Sequence, residues 1–225
     1  MPKEEKERFN KAEHFYFGHE EIVLGGPTSQ SISNDPNHVL FALSRYKFCA
    51  RMLAGKPKVL ELGFGDGIGL PVIARQAEHV YAVDREPMAR ESVERRLGKF
   101  LTNVTLMEMD PTATDLNLHV DAAFSIDFLE HIPPEREAFL MQNIIGCLPK
   151  EGVLITGTPN VSAQTYASHS SRIHHVNLKS PESLREMMSG YFDNVFIFGM
   201  NDEVVHTGFG PMCHYLWAVA AGVRR

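Results

Sequence analysis

The chain has 225 residues, 44% of them hydrophobic and 22% charged, and a formal net charge of −6 from 28 acidic and 22 basic side chains. That size suits one globular domain with appendages, and a net acidic chain without a long basic run offers little electrostatic footprint for nucleic acid. Three widely spaced cysteines (Cys49, Cys147, Cys213) with no C-x-x-C speak against a disulfide framework or a cysteine-based zinc site, and read as reduced thiols of a cytoplasmic protein.

Residues 1–20 mix charge with scattered aromatics (Phe9, Phe15, Tyr16, Phe17) and read as a docking or mobile N-terminal helix without the apolar core of a signal peptide. Gly25-Gly26-Pro27-Thr28-Ser29 and Ser33-Asn34-Asp35-Pro36 are breaker clusters. Between 37 and 54, Val39, Leu40, Leu43, Tyr46, Phe48, Ala50 and Leu53 have the spacing of a partly buried helix. Strands are then predicted near 58–62, 79–83, 103–108, 121–126, 152–157, 194–199 and 213–221. Helices are predicted near 69–77, 87–100, 135–147 and 181–190. Such alternation argues for an α/β fold, a mostly parallel sheet with helices on both faces. The last two strand-like runs have no clear helix between them and are expected to pair antiparallel. The apolar run 215–223 is too short to span a bilayer as a helix, so no membrane span is expected.

The first strand, helix and second strand carry a motif. Glu61-Leu62-Gly63-Phe64-Gly65-Asp66-Gly67-Ile68-Gly69 follows an apolar run, and a second apolar run closes on Asp84. This is the layout of a nucleotide-binding β-α-β unit, in which glycines admit close backbone approach and the later acid accepts from ribose hydroxyls. A dinucleotide loop needs G-x-G-x-x-G. Counted from Gly63 the last position is Ile68, and from Gly65 it is Leu70, so that register fails.

What stands there, E-x-G-x-G-x-G, resembles the first motif of class I S-adenosylmethionine-dependent methyltransferases. The likeness extends over residues 58 to about 190 and is nearest to the small-molecule type of the ubiquinone and surface-polysaccharide pathways. It implies a seven-stranded, Rossmann-like sheet with an antiparallel last strand, and S-adenosylmethionine as cofactor. The implied cofactor-binding set is Glu61, the loop residues Gly63, Phe64, Gly65 and Gly67, then Asp84 with Arg85 for the ribose. Asp110 with Pro111 is assigned to the adenine, and Arg45 to the methionine carboxylate. Each of these acids also reads as an ordinary turn residue after a strand, and Arg45 as part of a solvated helix face. The domain reading is a helical cap over 1–56 and a cofactor-binding domain over 57–225, with substrate-side insertions near 160–180 and 200–213.

Asp127-Phe128-Leu129-Glu130-His131-Ile132-Pro133 resembles the D-x-L-E-H-[IV]-P stretch of methyltransferases acting on small molecules. His175, ahead of Ser180-Pro181-Glu182-Ser183-Leu184, matches a histidine of the same group. Asp127, His131 and His175 are therefore the catalytic candidates, the histidines as bases because imidazole titrates near neutrality. Alternatively Asp127, Glu130, His131 and His175 form a site for a divalent ion, Mg or Mn. That set resembles the E-x-x-E-H…H arrangement of small-RNA 3′-end 2′-O-methyltransferases, with Asp127 in place of the first Glu. His206 and His214, with Asn201, Asp202, Glu203 and Tyr215, read equally as an acceptor-site wall or as an exposed hairpin. The expected activity is methyl transfer to a small polar acceptor, a sugar or other hydroxyl compound. The alternatives are metal-dependent methylation of an RNA 3′ end and a non-catalytic cofactor-binding protein. Nucleic acid is not the expected partner, and the aromatic N-terminal arm offers a route to an oligomer.

Overall fold

The computed structural model describes residues 2–19 and 21–225, with the side chains of 13–17 and 170 outside the description. The strands are β1 (Lys58–Leu62), β2 (His79–Asp84), β3 (Val104–Glu108), β4 (Ala122–Ile126), β5 (Val153–Pro159), β6 (Phe192–Asn201), β7 (Val204–His206) and β8 (Tyr215–Val223). They form one sheet in the order β3-β2-β1-β4-β5-β8-β6-β7. The first five are parallel, β8 runs antiparallel to β5 and β6, and β7 returns antiparallel on β6. Strand order reverses between β1 and β4, so the crevice beyond the carboxyl ends of these strands is the place for a ligand.

The sheet has eight strands among the described residues, one more than the expected seven. The extra strand, β7, is three residues long and follows a tight turn at Asp202, whose φ of 51° lies in the left-handed region. A three-residue run is too short for alternation to show in a sequence. This settles the local structure of 201–203 as a hairpin tip, with Asp202 and Glu203 exposed.

Both faces of the sheet are covered. Leu60, Leu62, Ala123 and Leu154 face helices α6 (Pro134–Cys147) and α8 (Pro181–Ser189), together with Met141, Ile144 and Leu184. On the other face Val59, Val80 and Phe124 pack with residues of α3 (Asn37–Met52), α4 (Leu70–Ala74) and α5 (Pro87–Leu97). Burial on both sides is why β1 and β4 read as mostly apolar runs and not as alternating ones. Tyr46, Cys49 and Ala50 of α3 lie in that second cluster, so the helical N-terminal part shares a hydrophobic core with the sheet. All three cysteines are buried free thiols.

Several helices differ from expectation. The breaker cluster at 25–29 begins α2 (Gly26–Asn34), with Pro27 in its first turn, where a missing N–H costs nothing. The helix near 69–77 spans only Leu70–Ala74, and that near 87–100 stops at Leu97 before Gly98. The polar stretch after β5 contains a 3₁₀ segment, Val161–Tyr166, and a short α7 (His169–His174). Ser180 caps α8 in a reciprocal pair with Ser183. At the N-terminus, α1 (Lys3–Phe17) forms and exposes Phe9, whereas the side chains of Phe15, Tyr16 and Phe17 lie outside the described ones. Among the described residues no helix is long and apolar enough to cross a membrane.

Candidate active site

A cavity of about 220 Å³ opens at the switch point, lined by Gly63, Gly65, Asp84, Arg85, Asp110, Pro111, Asp127, Phe128, His131 and Ile132. The chain enters it at Gly63, whose φ of +78° is open to glycine and whose N–H donates to the Val83 carbonyl at 2.8 Å. A Cβ here would lie 2.6 Å from the Phe128 ring, so the loop passes directly under that side chain. The backbone turns about Asp84, whose carboxylate accepts from the N–H of Gly65 (2.9 Å) and of Glu86 (3.0 Å). Asp84 thus fixes the loop and still borders the cavity, where its remaining lone pairs suit ribose hydroxyls.

Asp110 sits across the cavity. Its Oδ1 accepts from the N–H (2.9 Å) and hydroxyl (2.6 Å) of Thr112, and Arg136 approaches Oδ2 at 3.6 Å. Burial alone raises its pKa, but these hydrogen bonds with Arg85 and Arg136 outweigh it and hold the carboxylate below its usual range. Phe64 and Gly67 are not among the lining residues: Phe64 is buried in the hydrophobic cluster beneath the loop, and Gly67 packs against Val93.

Glu61 is 1% exposed at the end of β1. Burial pushes its carboxyl up to about 8, although the Tyr46 hydroxyl donates to Oε1 at 2.8 Å. The Tyr46 ring reaches it across Gly69, where any side chain would collide with that ring. The neighbouring Arg45 does not point to solvent as a helix-face residue would. Its Nη1 donates to the Asp127 carboxylate at 2.6 Å, and its guanidinium carbon lies 3.8 Å from the centroid of the Tyr215 ring. Adjacent residues of α3 therefore address both an acid before the glycine loop and an acid after β4.

Glu130, His131 and His175 bring their ligand-type atoms within 4.8 Å of one another. Asp127 does not join them, because its carboxylate is taken by Arg45; the four-residue metal set reduces to three. Glu130 is fully buried; its Oε2 accepts from the Thr158 hydroxyl (3.0 Å), and its carbonyl accepts from the N–H of Val176 (2.8 Å) and Asn177 (3.0 Å). Burial first, and Asp127 next, raise its pKa. His131 Nδ1 lies 3.1 Å from the His174 carbonyl oxygen. A carbonyl only accepts, so Nδ1 carries the proton of the neutral ring and Nε2 keeps a lone pair. The His175 ring stands edge-on at 5.1 Å, and burial together with His131 lowers its pKa, which keeps it neutral near pH 7.

The sequence holds no sign of Tyr46 or Thr158 as site residues, and offers Tyr215 only as part of an acceptor-site wall or an exposed hairpin, not as a partner of Arg45 and Asp127. Each reaches the site only through the packing of distant segments, and no local spacing marks them. His206 and His214 line neither the cavity nor the three-residue cluster; the His206 ring instead accepts from the Gly208 N–H at 3.0 Å.

A family model of the methyltransferase domain matches residues 38–191, well over half of the chain. The chain belongs to the methyltransferase-domain family. No curated protein sequence matches it. Among solved structures, the methyltransferase is similar to the methyltransferase domain of bacterial CtHen1, with a TM-score of 0.66 at 19% identity over 81% of this chain and 99% of that one. A DhpI–SAH complex gives 0.63 at 19% identity over 88% and 94%. N-methyltransferase NodS from Bradyrhizobium japonicum, in complex with S-adenosylhomocysteine, gives 0.58 at 14% over 84% and 86%. At these identities the likeness shows the fold, that of class I S-adenosylmethionine-dependent methyltransferases.

The methyltransferase's own residues fit that cofactor. Among the described residues, the buried side-chain polar atoms without a hydrogen-bond partner are Arg45 Nε, Glu61 Oε2, Glu130 Oε1 and His175 Nδ1. None of the four residues lines the cavity itself; Arg45 is bonded to the lining residue Asp127, Glu61 stands two residues before Gly63, and Glu130 and His175 cluster with the lining residue His131. Unpaired buried polar atoms are costly and ask for a partner. A cationic donor and an acidic acceptor match the carboxylate and ammonium of a methionine moiety, and Asp84 and Asp110 match the ribose and adenine.

Proposed function

We propose that the enzyme transfers the methyl group of S-adenosylmethionine to a hydroxyl of a small polar acceptor, a sugar or related compound. The single observation that carries the hydroxyl reading is His131. Its tautomer is fixed by the His174 carbonyl, its free Nε2 makes it a base, and it lines the same cavity as Gly63, Asp84 and Asp110. An amine acceptor need only be neutral, whereas a hydroxyl of high pKa needs its proton taken.

S-adenosylmethionine supplies an electrophilic methyl group on a sulfonium. Asp84, Asp110, Glu61 and Arg45 would hold it by ribose, adenine, ammonium and carboxylate, respectively. His131 Nε2 would take the proton of the acceptor hydroxyl as that oxygen receives the methyl group the bound donor supplies, the sulfonium becoming a neutral thioether. His175 packs against His131 and keeps it oriented. The cap over 1–56 and the insertions near 160–180 and 200–213 belong to this reading as the walls of the acceptor site. A cytoplasmic location, supported by the three free thiols, belongs to it too.

A second reading keeps the hydroxyl acceptor and adds a divalent ion held by Glu130, His131 and His175. It is favoured by the unpaired Glu130 Oε1 and His175 Nδ1, and the acceptor is then an RNA 3′-terminal 2′-hydroxyl. One experiment separates the two. Turnover is measured with and without EDTA, in the wild type and in His131→Ala. The first reading expects turnover indifferent to EDTA and reduced by about 10²–10⁴-fold in the variant, with cofactor binding retained. Loss of turnover in EDTA, restored by Mg or Mn, selects the second, and normal turnover of His131→Ala removes the histidine from either.

A further inference from the structure

Asp127, directly after β4, has a φ of 52°, a left-handed conformation that only three non-glycine residues adopt in the described chain. Such a conformation persists where surrounding contacts over-determine it. Here the Asp127 N–H points at two acceptors, the Gly157 carbonyl at 3.1 Å and the Tyr215 hydroxyl at 3.2 Å. The same Tyr215 ring lies under the Arg45 guanidinium, which in turn grips the Asp127 carboxylate. One side chain therefore touches both members of the ion pair, the acid through its backbone and the base through its π face. Tyr215 is 2% exposed and is braced edge-on by Trp217, ring centroids 5.4 Å apart. Its path is kept clear by Gly157, where a Cβ would lie 2.7 Å from the Tyr215 oxygen and 2.6 Å from Trp217. None of these residues belongs to the glycine-loop motif.

We propose that Tyr215 is a positioning residue for the methyl donor: it sets Asp127 and Arg45 so that the unpaired Arg45 Nε meets the donor's carboxylate. The proposal rests on the reading of Arg45 as the carboxylate partner. A guanidinium offers five donors in a rigid plane, so its aim is decided by what holds that plane. An aromatic face on one side and a carboxylate at one edge leave the opposite edge directed. Removing the ring frees the plane to rotate, and removing only the hydroxyl loosens Asp127 while Gly157 still holds its N–H.

The test needs no knowledge of the acceptor. S-adenosylhomocysteine and 5′-methylthioadenosine share the adenosine and sulfur, and only the first has the amino-acid end. Their dissociation constants are measured by calorimetry for the wild type, Arg45→Gln, Tyr215→Phe and Tyr215→Leu, with the folded fraction of each checked by thermal melting. Tyr215→Leu is expected to weaken S-adenosylhomocysteine about tenfold while 5′-methylthioadenosine stays within about twofold, and Tyr215→Phe to recover most of the loss. A general structural effect would weaken both ligands in proportion and overturns the proposal. So does equal, wild-type-like binding of S-adenosylhomocysteine by both Tyr215 variants. If Tyr215→Leu fails to fold, Tyr215→Phe decides, with a loss of about two- to threefold confined to S-adenosylhomocysteine expected and no loss overturning it. If Arg45→Gln leaves S-adenosylhomocysteine untouched, the Arg45 reading itself fails, and that outcome is distinct from a failure at Tyr215 alone.

Discussion

Glu61, proposed to meet the donor's ammonium group, also bears on stability. Its folded pKa of about 8 lies above the ordinary carboxyl value, so the folded chain holds a proton that the unfolded chain releases. The stability associated with the neutral acid is complete below pH 4.5 and is lost as pH rises through about 8. The melting temperature of the ligand-free enzyme should therefore fall between pH 5 and 9, and Glu61→Gln should remove a large part of that slope. An identical slope in wild type and variant would show that Glu61 ionises freely. The anion that appears at higher pH is the form an ammonium group needs, so on the proposed reading the same residue would relate pH to cofactor affinity. Legibility in sequence divides sharply at this scale. Asp84 closes β2 and Asp110 follows β3 by two residues, and their order after the glycine loop is what the family resemblance uses to single them out. Arg45 and Asp127 are 82 residues apart, Asp127 and Tyr215 are 88 apart, and nothing in the local pattern pairs them.

Among the elements, α2 shows what breaker residues conceal. Gly25, Gly26 and Pro27 read as a loop, yet Pro27 is well placed in a first helical turn. The Thr28 N–H and hydroxyl donate to the Asp66 carboxylate at 2.8 and 3.0 Å, and Arg96 donates to the Asp66 carbonyl (2.6 Å) and the Val23 carbonyl (3.2 Å). The N-terminal segment is thus fastened to the glycine loop, and Gly26 and Pro27 share a cavity of about 600 Å³ with Gly65 and Asp84. Thr28→Val removes the hydroxyl bond to a buried carboxylate and should destabilise by about 1–2 kcal/mol. Amide exchange over 21–34 should quicken more than exchange in the strands. Unchanged protection there would show that the fastening lies elsewhere. The central parallel strands β1 and β4 were readable because burial on both faces makes them mostly apolar, interrupted only by Glu61 and Ser125. Their short partners, β7 and α7, were not, since three to six residues contain less than two periods of any pattern.

At the scale of the whole molecule, the reversal of strand order between β1 and β4 creates the crevice, and the antiparallel return of β8 carries Tyr215 to its rim. The two hydrophobic clusters hold the sheet from either side, and among the described residues the buried polar side-chain atoms left unpaired are those of Arg45, Glu61, Glu130 and His175. Alternation of strands and helices made this architecture predictable, whereas the identity of the acceptor depends on insertions whose folding is set by their contacts. The most direct measurement is a calorimetric titration of S-adenosylhomocysteine into the wild type and Asp84→Ala. Saturable binding at one site is expected for the wild type, weakened by about 1–3 kcal/mol in the variant through lost charge-assisted hydrogen bonds. No binding by the folded wild type at millimolar ligand would contradict the assignment of this crevice to the methyl donor, and equal affinity in the two proteins would remove Asp84 from it.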